Sequence, residues 1–268
     1  FSLNSYGYAK TQNTNIGERI FVNDFVFNSD PKISENGFKN SYTYLLKNSN
    51  TDSSNSSTFK DGVDNKFDTI FEYSTSFPLR KRNETFNTTL NPLMTFKYSP
   101  NNSKNMQDDD KRLDINNIFG FNRLGTSTSV EGGSSFTYGV EYSKSDKLDK
   151  EILGAKIANI FRPEVDKNLP TKSGLNQKNS DIVGEIDLNP NENLKVNYNF
   201  ALKDNLSDSS YQLLGSEIKI NNFVSNFEYL NENNSNDSDV SYLSNQSKIS
   251  NNDNSKSLSF ETRINKKT

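Results

Sequence analysis

Residues 86–98, with the sequence FNTTLNPLMTFKY, decide the class of fold. Most apolar side chains in this stretch occupy one set of alternate positions, and most polar side chains occupy the other. Successive side chains of a β-strand point to opposite faces of the sheet, so the pattern predicts a strand with one apolar and one polar face. The apolar set is Phe86, Leu90, Met94, Phe96 and Tyr98, and the polar set is Asn87, Thr89, Asn91, Thr95 and Lys97.

The same alternation recurs along the whole chain. It is strong in 38–46, 67–77, 136–142, 194–202, 223–229 and 258–264, and weaker near Phe1, Ile20, Leu153, Ile182 and Leu213. No stretch carries apolar residues at the i, i+3, i+4, i+7 spacing of an amphipathic helix. We therefore predict about a dozen strands and an all-β, antiparallel fold.

The composition favours a transmembrane β-barrel. Only 31% of the 268 residues are hydrophobic, against roughly 45–50% in soluble domains. Aromatic residues nevertheless make up 12% of the chain, which argues against disorder. A barrel accounts for both values because only its outer face must be apolar. A soluble β-sandwich also alternates, but its strands are usually about 5–6 residues long, shorter than the ~9–11 that cross a bilayer.

Several functional classes are excluded by what the chain lacks. The net charge of −3 offers no basic surface for nucleic acid. Without Cys or His there is no disulfide, no thiol nucleophile and neither the commonest general base nor the commonest metal ligand. The acidic run 108–110 could collect Ca²⁺, although such runs are more often solvated. We predict no enzyme activity, no catalytic residue, no cofactor and no metal site.

The chain is expected to be an internal fragment of a longer exported protein. Phe1 enters an alternating segment directly, no signal peptide precedes it, and no apolar run approaches the ~20 residues of a membrane helix. Residues 1–268 are therefore predicted to form a single domain, an incomplete β-barrel.

Connector lengths predict an orientation, since outer-membrane barrels alternate short periplasmic turns with longer extracellular loops. All long connectors fall on one side only if 114–125 is not a membrane strand. We therefore predict that 99–129 is one long extracellular loop with ordered structure, able to fold back into the barrel mouth. The predicted long connectors are 48–65, 99–129, 163–180 and 231–255, and the predicted short ones are 78–84, 145–150, 189–193 and 221–222.

The segment that the connector lengths assign to a loop also carries a family resemblance. Residues 117–125 (NIFGFNRLG), then 130–133 (VEGG) and 136–140 (FTYGV), resemble the barrel of the LptD family. The order and spacing of the motifs are similar over roughly 67–202. Further similar stretches are 89–100 (TLNPLMTFKYSP), 156–161 (KIANIF), 169–175 (LPTKSGL) and 180–184 (SDIVG). The chain differs from the family in two ways. Gly-Thr-Ser follows Leu124, where many relatives carry Gly-Asp-Arg, and the family's cysteines are absent.

The resemblance implies a role in lipopolysaccharide export. The barrel would lie in the outer membrane of a Gram-negative bacterium and insert lipopolysaccharide into the outer leaflet. Its implied partners are lipopolysaccharide, outer-membrane lipids, an LptE-like lipoprotein plug and an LptA-like periplasmic bridge. Two alternatives stay open: another outer-membrane barrel, such as a porin or a TonB-dependent receptor, and a secreted all-β adhesin.

One residue is singled out within that loop. Arg123 is expected either to pin the loop against a carboxylate such as Asp114 or Glu131, or to bind a phosphate, which a guanidinium recognises bidentately. We favour the pin. The inward polar positions would offer hydrogen bonds to sugars, water or the plug, or would simply be solvated. These candidate lumen residues are Glu72, Lys97, Glu141, Lys195, Asn197 and Asn199.

Overall fold

The alternating segments form antiparallel β-strands. The computed structural model describes residues 1–12, 15–124, 126–203, 206, 208–233, 239–250 and 257–265. The strands are β1 (Ser2–Thr11), β2 (Gly17–Asn28), β3 (Lys32–Ile33), β4 (Lys39–Ser54), β5 (Gly62–Ser76), β6 (Leu79–Arg82), β7 (Asn87–Ser99), β8 (Gly133–Ser145), β9 (Glu151–Phe161), β10 (Ile182–Asn191), β11 (Leu194–Leu202), β12 (Ser209–Ile220), β13 (Phe223–Glu232), β14 (Val240–Ser250) and β15 (Ser257–Asn265).

The strands belong to one sheet, and the predicted all-β, antiparallel class is confirmed. Each strand pairs with its neighbour in the order β1-β2-β4-β5-β7-β8-β9-β10-β11-β12-β13-β14-β15, while β3 pairs with β4 and β6 pairs with β7. In the described part of the chain the sheet is open, with β1 and β15 at its ends. A single 3₁₀ turn, Thr171–Ser173, is the only helix there, and none of the described residues form a helix able to cross a membrane.

Among the described residues the sheet contains 15 strands, more than the dozen predicted. Strands β3, β6 and β14 were not predicted, and β14 lies inside the predicted connector 231–255. Its sequence, VSYLSNQSKIS, has few apolar residues, but its backbone pairs with both β13 and β15. Backbone pairing on two sides builds a strand without a strong side-chain pattern. Residues 234–238 and 251–256 of that connector lie outside the described residues.

The predicted connector 48–65 is also wrong, because most of it is strand. Strand β4 runs to Ser54 and β5 begins at Gly62, so the connection is 55–61. The ladder pairs Asn48 with Phe67 and continues without a break to Ser53 and Gly62. The hairpin therefore continues beyond its alternating apolar residues into mainly polar sequence, where side-chain alternation no longer indicates a strand.

The polarity of the two faces of the sheet is the reverse of that in a soluble protein, because the exposed face is apolar and the buried face carries charged side chains. On β5, Phe67 and Phe71 are exposed, whereas Asp68 and Glu72 are buried. We call the face that carries Phe67 and Phe71 the apolar face, and the face that carries Asp68 and Glu72 the covered face. Other exposed members of the apolar face are Tyr42, Tyr98, Tyr138, Ile186, Leu214 and Leu243, and other buried members of the covered face are Lys47, Thr95, Lys97, Ser135 and Thr137.

Two segments bury part of the covered face. The first covering segment is 100–132, between β7 and β8, and the second is 162–181, between β9 and β10. They join through backbone hydrogen bonds from Met106 to Asn168 (2.7 Å) and from Thr171 to Gln107 (3.1 Å). Most of their buried apolar side chains form one core against β9, β10 and β11, while Val130 packs separately with Leu45 and Ile70. The core contains Met106, Leu113, Ile118, Leu124, Leu169 and Leu175 from the segments and Ala158, Ile160, Val183 and Ala201 from the strands.

The first covering segment contains no strand among its described residues. Residues 115–119 and 121–124 are turns, and Gly125 lies outside the described residues. The turn begins at Asp114, whose carboxylate accepts hydrogen bonds from the backbone N–H groups of Asn116 (2.8 Å) and Asn117 (3.0 Å). Such a side-chain-capped turn satisfies backbone donors locally and competes with strand pairing.

The long and the short connections lie at opposite ends of the strands, and we refer to these two ends of the sheet as its edges. The connections 55–61, 100–132 and 162–181 share one edge, which we call the long-loop edge. The opposite edge, the turn edge, carries the two-residue connections 192–193 and 221–222. Asn221 adopts a positive φ of 51°, as a tight hairpin turn requires.

Candidate functional site on the covered face

A buried carboxylate, Glu131, lies where both covering segments meet the sheet. Arg123 donates two hydrogen bonds to it, Nε to Oε2 (2.5 Å) and Nη2 to Oε1 (2.6 Å). Arg162 donates Nη1 to Oε1 and Nη2 to the Gly132 carbonyl (2.6 Å). The Lys97 Nζ lies 3.6 Å from Oε2. We call this group, together with Glu72, the Glu131 cluster.

Arg123 also fastens the first covering segment to β8. Its Nη1 donates to the Thr137 Oγ1 (3.0 Å) and to the Ile118 carbonyl (3.3 Å), and its Nη2 donates to the Ser135 Oγ (2.6 Å). Thr137 and Ser135 occupy the covered face because they alternate with the apolar residues of β8. The guanidinium therefore uses its fixed fork of donors to join a turn, a carboxylate and a strand.

Lys97 fastens the same segment to β7. Its ammonium donates to the carbonyls of Gly120 (3.2 Å) and Phe121 (2.9 Å). Glu72 of β5 lies directly opposite Lys97 in the ladder. It is buried, and among the described residues its Oε2 has no hydrogen-bond partner. The cluster thus holds three cations and two carboxylates, and Glu72 supplies negative charge beside Lys97.

The charges of this cluster are interdependent. Burial alone would raise the pKa of Glu131, but Arg123, Lys97 and Arg162 together hold it well below its usual range. Burial lowers the pKa of Arg162, and the neighbouring carboxylate of Glu131 opposes that shift. Glu131 is therefore ionised at neutral pH, and each charged group remains buried only because the others are present.

A second group of predicted site residues lies on β11, away from the Glu131 cluster. Lys195 forms an ion pair with Glu217 (3.2 Å), and the Asn197 amide donates to Asp187 (2.7 Å). Asn199 donates to the Asn197 side-chain oxygen (2.5 Å). These side chains form a hydrogen-bonded row across β10, β11 and β12, which we call the polar ladder. Lys195 and Asn197 also line an open cavity of about 430 Å³.

The predicted site residues therefore separate into groups. The structure brings Glu72, Lys97 and Arg123 together, and it brings Lys195, Asn197 and Asn199 together. Glu141 lies on β8 outside both groups, where it accepts a hydrogen bond from the Asn91 amide (3.1 Å).

Sequence reasoning missed Arg162, the second arginine on Glu131. The sequence signal for Arg162 was weak, since it consists only of a cation directly after the apolar strand β9 and directly before Pro163. It also missed the ion pair between the buried Lys47 and the partly buried Asp24 (2.6 Å). Lys47 alternates with the apolar residues of β4, so the sequence indicated its position on the covered face. The sequence did not indicate that its partner is Asp24 on β2.

The acidic run 108–110 takes part in an ion pair. Asp110 pairs with Lys172 (2.5 Å), which links the two covering segments. The Lys172 ammonium lowers the pKa of Asp110 below its ordinary value. Within the described ranges no group of three His, Cys, Asp or Glu side chains is arranged to hold a metal ion.

The chain was compared with known proteins. No curated protein matches it. A family model does match, under the description "LptD: LPS transport system D", over residues 21–264. That range includes β4 to β14, both covering segments and every residue of the Glu131 cluster and the polar ladder. The chain therefore belongs to the LptD family, a family of lipopolysaccharide transport proteins of the outer membrane.

Proposed function

We propose that this sheet is part of the wall of an outer-membrane β-barrel that inserts lipopolysaccharide into the outer leaflet. The observation that carries the proposal is the reversed polarity of the sheet, with exposed aromatic and aliphatic side chains on one face and buried charges on the other. Membership in a lipopolysaccharide transport family supports the identity of the cargo. The apolar face would contact lipid, and the covered face would line the lumen.

The strand lengths support a bilayer-spanning wall. The strands of the continuous sheet run from 9 residues in β11 to 16 residues in β4, and a tilted strand needs ~9–11 to cross the hydrocarbon core. The extra residues of β4 and β5 lie towards the long-loop edge and are mainly polar. We place that edge on the extracellular side because longer loops of such barrels lie outside.

The covering segments would then occupy the extracellular part of the lumen. Segments 100–132 and 162–181 pack on the inner side of β5, β7 and β8 through the Glu131 cluster and on that of β9, β10 and β11 through the apolar core. Arg123 would act as the pin of this arrangement rather than as a phosphate ligand, because its donors are already engaged by Glu131, Thr137 and Ser135.

The uncovered part of the lumen would be the sugar path. The polar ladder presents carboxylate, amide and ammonium groups along a cavity of about 430 Å³, and such groups hydrogen-bond readily to hydroxyls and water. The role is transport and not catalysis. We further propose an LptE-like lipoprotein in the lumen and an LptA-like bridge that delivers lipopolysaccharide at the turn edge.

Depletion of the full-length protein in its host tests the proposal. Lipopolysaccharide at the cell surface should fall, lipopolysaccharide should accumulate inside the outer membrane, and a lipoprotein should co-purify with the detergent-extracted protein. The protein should migrate differently on gels before and after heating. Outer-membrane fractionation with unchanged surface lipopolysaccharide would favour a porin or a receptor, and recovery outside membranes would favour an adhesin.

A further inference from the structure

A second, smaller cavity lies at the long-loop edge, and no residue of the Glu131 cluster lines it. It has a volume of about 240 Å³ and lies between the ends of β4 and β5, the connection 55–61 and the first covering segment. Three cationic side chains line it, namely Lys60, Lys66 and Lys104. The remaining wall is rich in hydroxyl groups, from Ser49, Thr51, Thr58, Ser103 and Thr128.

The lysines of this cavity are only partly neutralised. Lys66 pairs with the buried Asp68 at 3.1 Å. Lys60 and Lys104 have no acidic partner within the described part of the chain, and Asp64 is the one acidic side chain of the lining. The lining therefore carries an excess of positive charge, which attracts anions in a partly enclosed space.

A buried hydroxyl on the wall has no partner. The Ser49 side chain is 4% exposed, and its Oγ makes no hydrogen bond with the described residues. Buried polar atoms in native proteins are nearly always hydrogen-bonded, so an unpaired one requires an explanation. A polar ligand in the cavity would provide the missing partner. This observation is independent of the lysines.

An aromatic ring positions one of the free cations. The Lys104 ammonium lies 5.0 Å from the centre of the Phe59 ring, within the range of a cation–π interaction. Phe59 belongs to the connection 55–61, and Lys104 belongs to the first covering segment. The contact therefore joins the two walls of the cavity and holds a charge at their junction.

We infer that this cavity binds an anionic sugar unit, that is, a phosphate or carboxylate group carried on a hydroxyl-bearing ring. The lysines match the anion, and the Ser and Thr hydroxyls match the ring hydroxyls. A volume of about 240 Å³ is below the roughly 300–1,000 Å³ of drug-sized sites, so the site takes one sugar unit and not a chain. The inference rests on the proposed function, which supplies a saccharide to this edge.

In the Glu131 cluster, by contrast, the cations already donate to protein groups. Arg123 and Arg162 both bind Glu131, and Lys97 donates to the Gly120 and Phe121 carbonyls, so these donors are engaged within the protein. The cavity at the long-loop edge is therefore the better anion site of the two.

Binding to the purified full-length protein in detergent tests the inference. Saturation-transfer NMR would compare glucose 1-phosphate, glucuronate and glucose. We expect saturable binding of at least one charged sugar and much weaker binding of glucose. Preference between the two charged sugars then distinguishes a phosphate ligand from a carboxylate ligand, and either preference supports the site.

Three variants locate the binding. Lys104→Met removes a free cation and should weaken binding about tenfold, the size expected for one charge-assisted hydrogen bond. Lys147→Met removes an exposed lysine from the connection between β8 and β9 and should change nothing. Ser49→Ala should weaken binding about threefold and leave folding intact, because the hydroxyl has no partner in the protein.

The site would be overturned if glucose bound as well as the charged sugars, or if neither Lys104→Met nor Ser49→Ala altered the affinity. These outcomes are separate from failure of the proposed function. Charged-sugar binding with unchanged surface lipopolysaccharide on depletion would contradict the transport role and keep the site. Loss of surface lipopolysaccharide without sugar binding would contradict the site and keep the transport role.

Discussion

Arg123 and Glu131 lie eight residues apart in the chain, both outside the strands, and form two parallel hydrogen bonds of 2.5 and 2.6 Å. Both side chains are buried. Arg162 reaches the same carboxylate from the second covering segment. One carboxylate therefore joins two long connections to each other and to the sheet, so charge as well as apolar packing holds the covering segments in place.

Glu131→Gln should be strongly destabilising. The substitution keeps the shape but leaves Arg123, Arg162 and Lys97 without their shared counter-charge, and removing one partner of a buried ion pair costs about 3–5 kcal/mol. Denaturant unfolding of the reconstituted protein measures the loss, and limited proteolysis of 100–132 measures release of the segment. Glu192→Gln is the control, since Glu192 is an exposed partner of Lys150 and its removal should cost under about 1 kcal/mol. Equal stability of the two variants would contradict the role of Glu131.

Arg123→Lys should also destabilise, although it conserves the charge. A lysine cannot reproduce the two parallel bonds to Glu131 together with the bonds to Thr137 and Ser135, and we expect a loss of about 2 kcal/mol. Arg19→Lys is the matched control because Arg19 forms an exposed pair with Asp52. Thermal unfolding of both variants gives the comparison, and an unchanged midpoint for Arg123→Lys would mean that charge alone is sufficient.

Leu175→Ala should loosen the two covering segments together. Leu175 is fully buried in the core that both segments share, and truncating such a leucine costs about 2–5 kcal/mol. Leu148→Ala is the control, since Leu148 is 90% exposed. Hydrogen exchange should show faster exchange in 100–132 as well as in 162–181. Faster exchange in 162–181 alone would show that the segments are not one unit.

Leu243→Arg should impair membrane insertion, whereas Ser244→Arg should not. Leu243 lies on the apolar face, and Ser244, the next residue of β14, lines the open cavity of the covered face. An arginine facing lipid near the middle of the bilayer costs about 2–4 kcal/mol. Folding yield into lipid vesicles measures the difference. Similar yields for the two variants would contradict the assignment of the apolar face to lipid.

Docking of the covering segments should weaken in acid. The pKa of Glu131 lies below its ordinary value of 4.5, so its contribution to stability is complete above that value. The contribution is lost progressively as the pH falls through 4.5 towards the lower folded-state pKa. Unfolding between pH 8 and pH 3 should therefore show a decline confined to the acidic end of the range. Glu131→Gln should show a shallower decline, and identical slopes would contradict the prediction.

Local pattern was sufficient for most of the strands but not for β3, β6 and β14, nor for the contacts between distant segments. The alternation in 86–98 indicated β7 because side-chain direction in a strand depends only on the backbone, and the apolar and polar parities of β5, β7 and β8 were correct. It did not indicate β14, where backbone pairing with β13 and β15 replaces side-chain pattern.

The sequence by itself determined the all-β class and the two faces of the sheet, since both depend on the alternation of neighbouring residues, and the connector lengths indicated the irregular segment around Arg123. Only the tertiary structure decided that Arg123 pairs with Glu131 while Asp114 caps a turn, and that Arg162 joins them. The physical reason is that a buried ion pair forms only where folding brings the partners together and excludes water. The spacing of Arg162 from Glu131 along the chain carries no signal of that event.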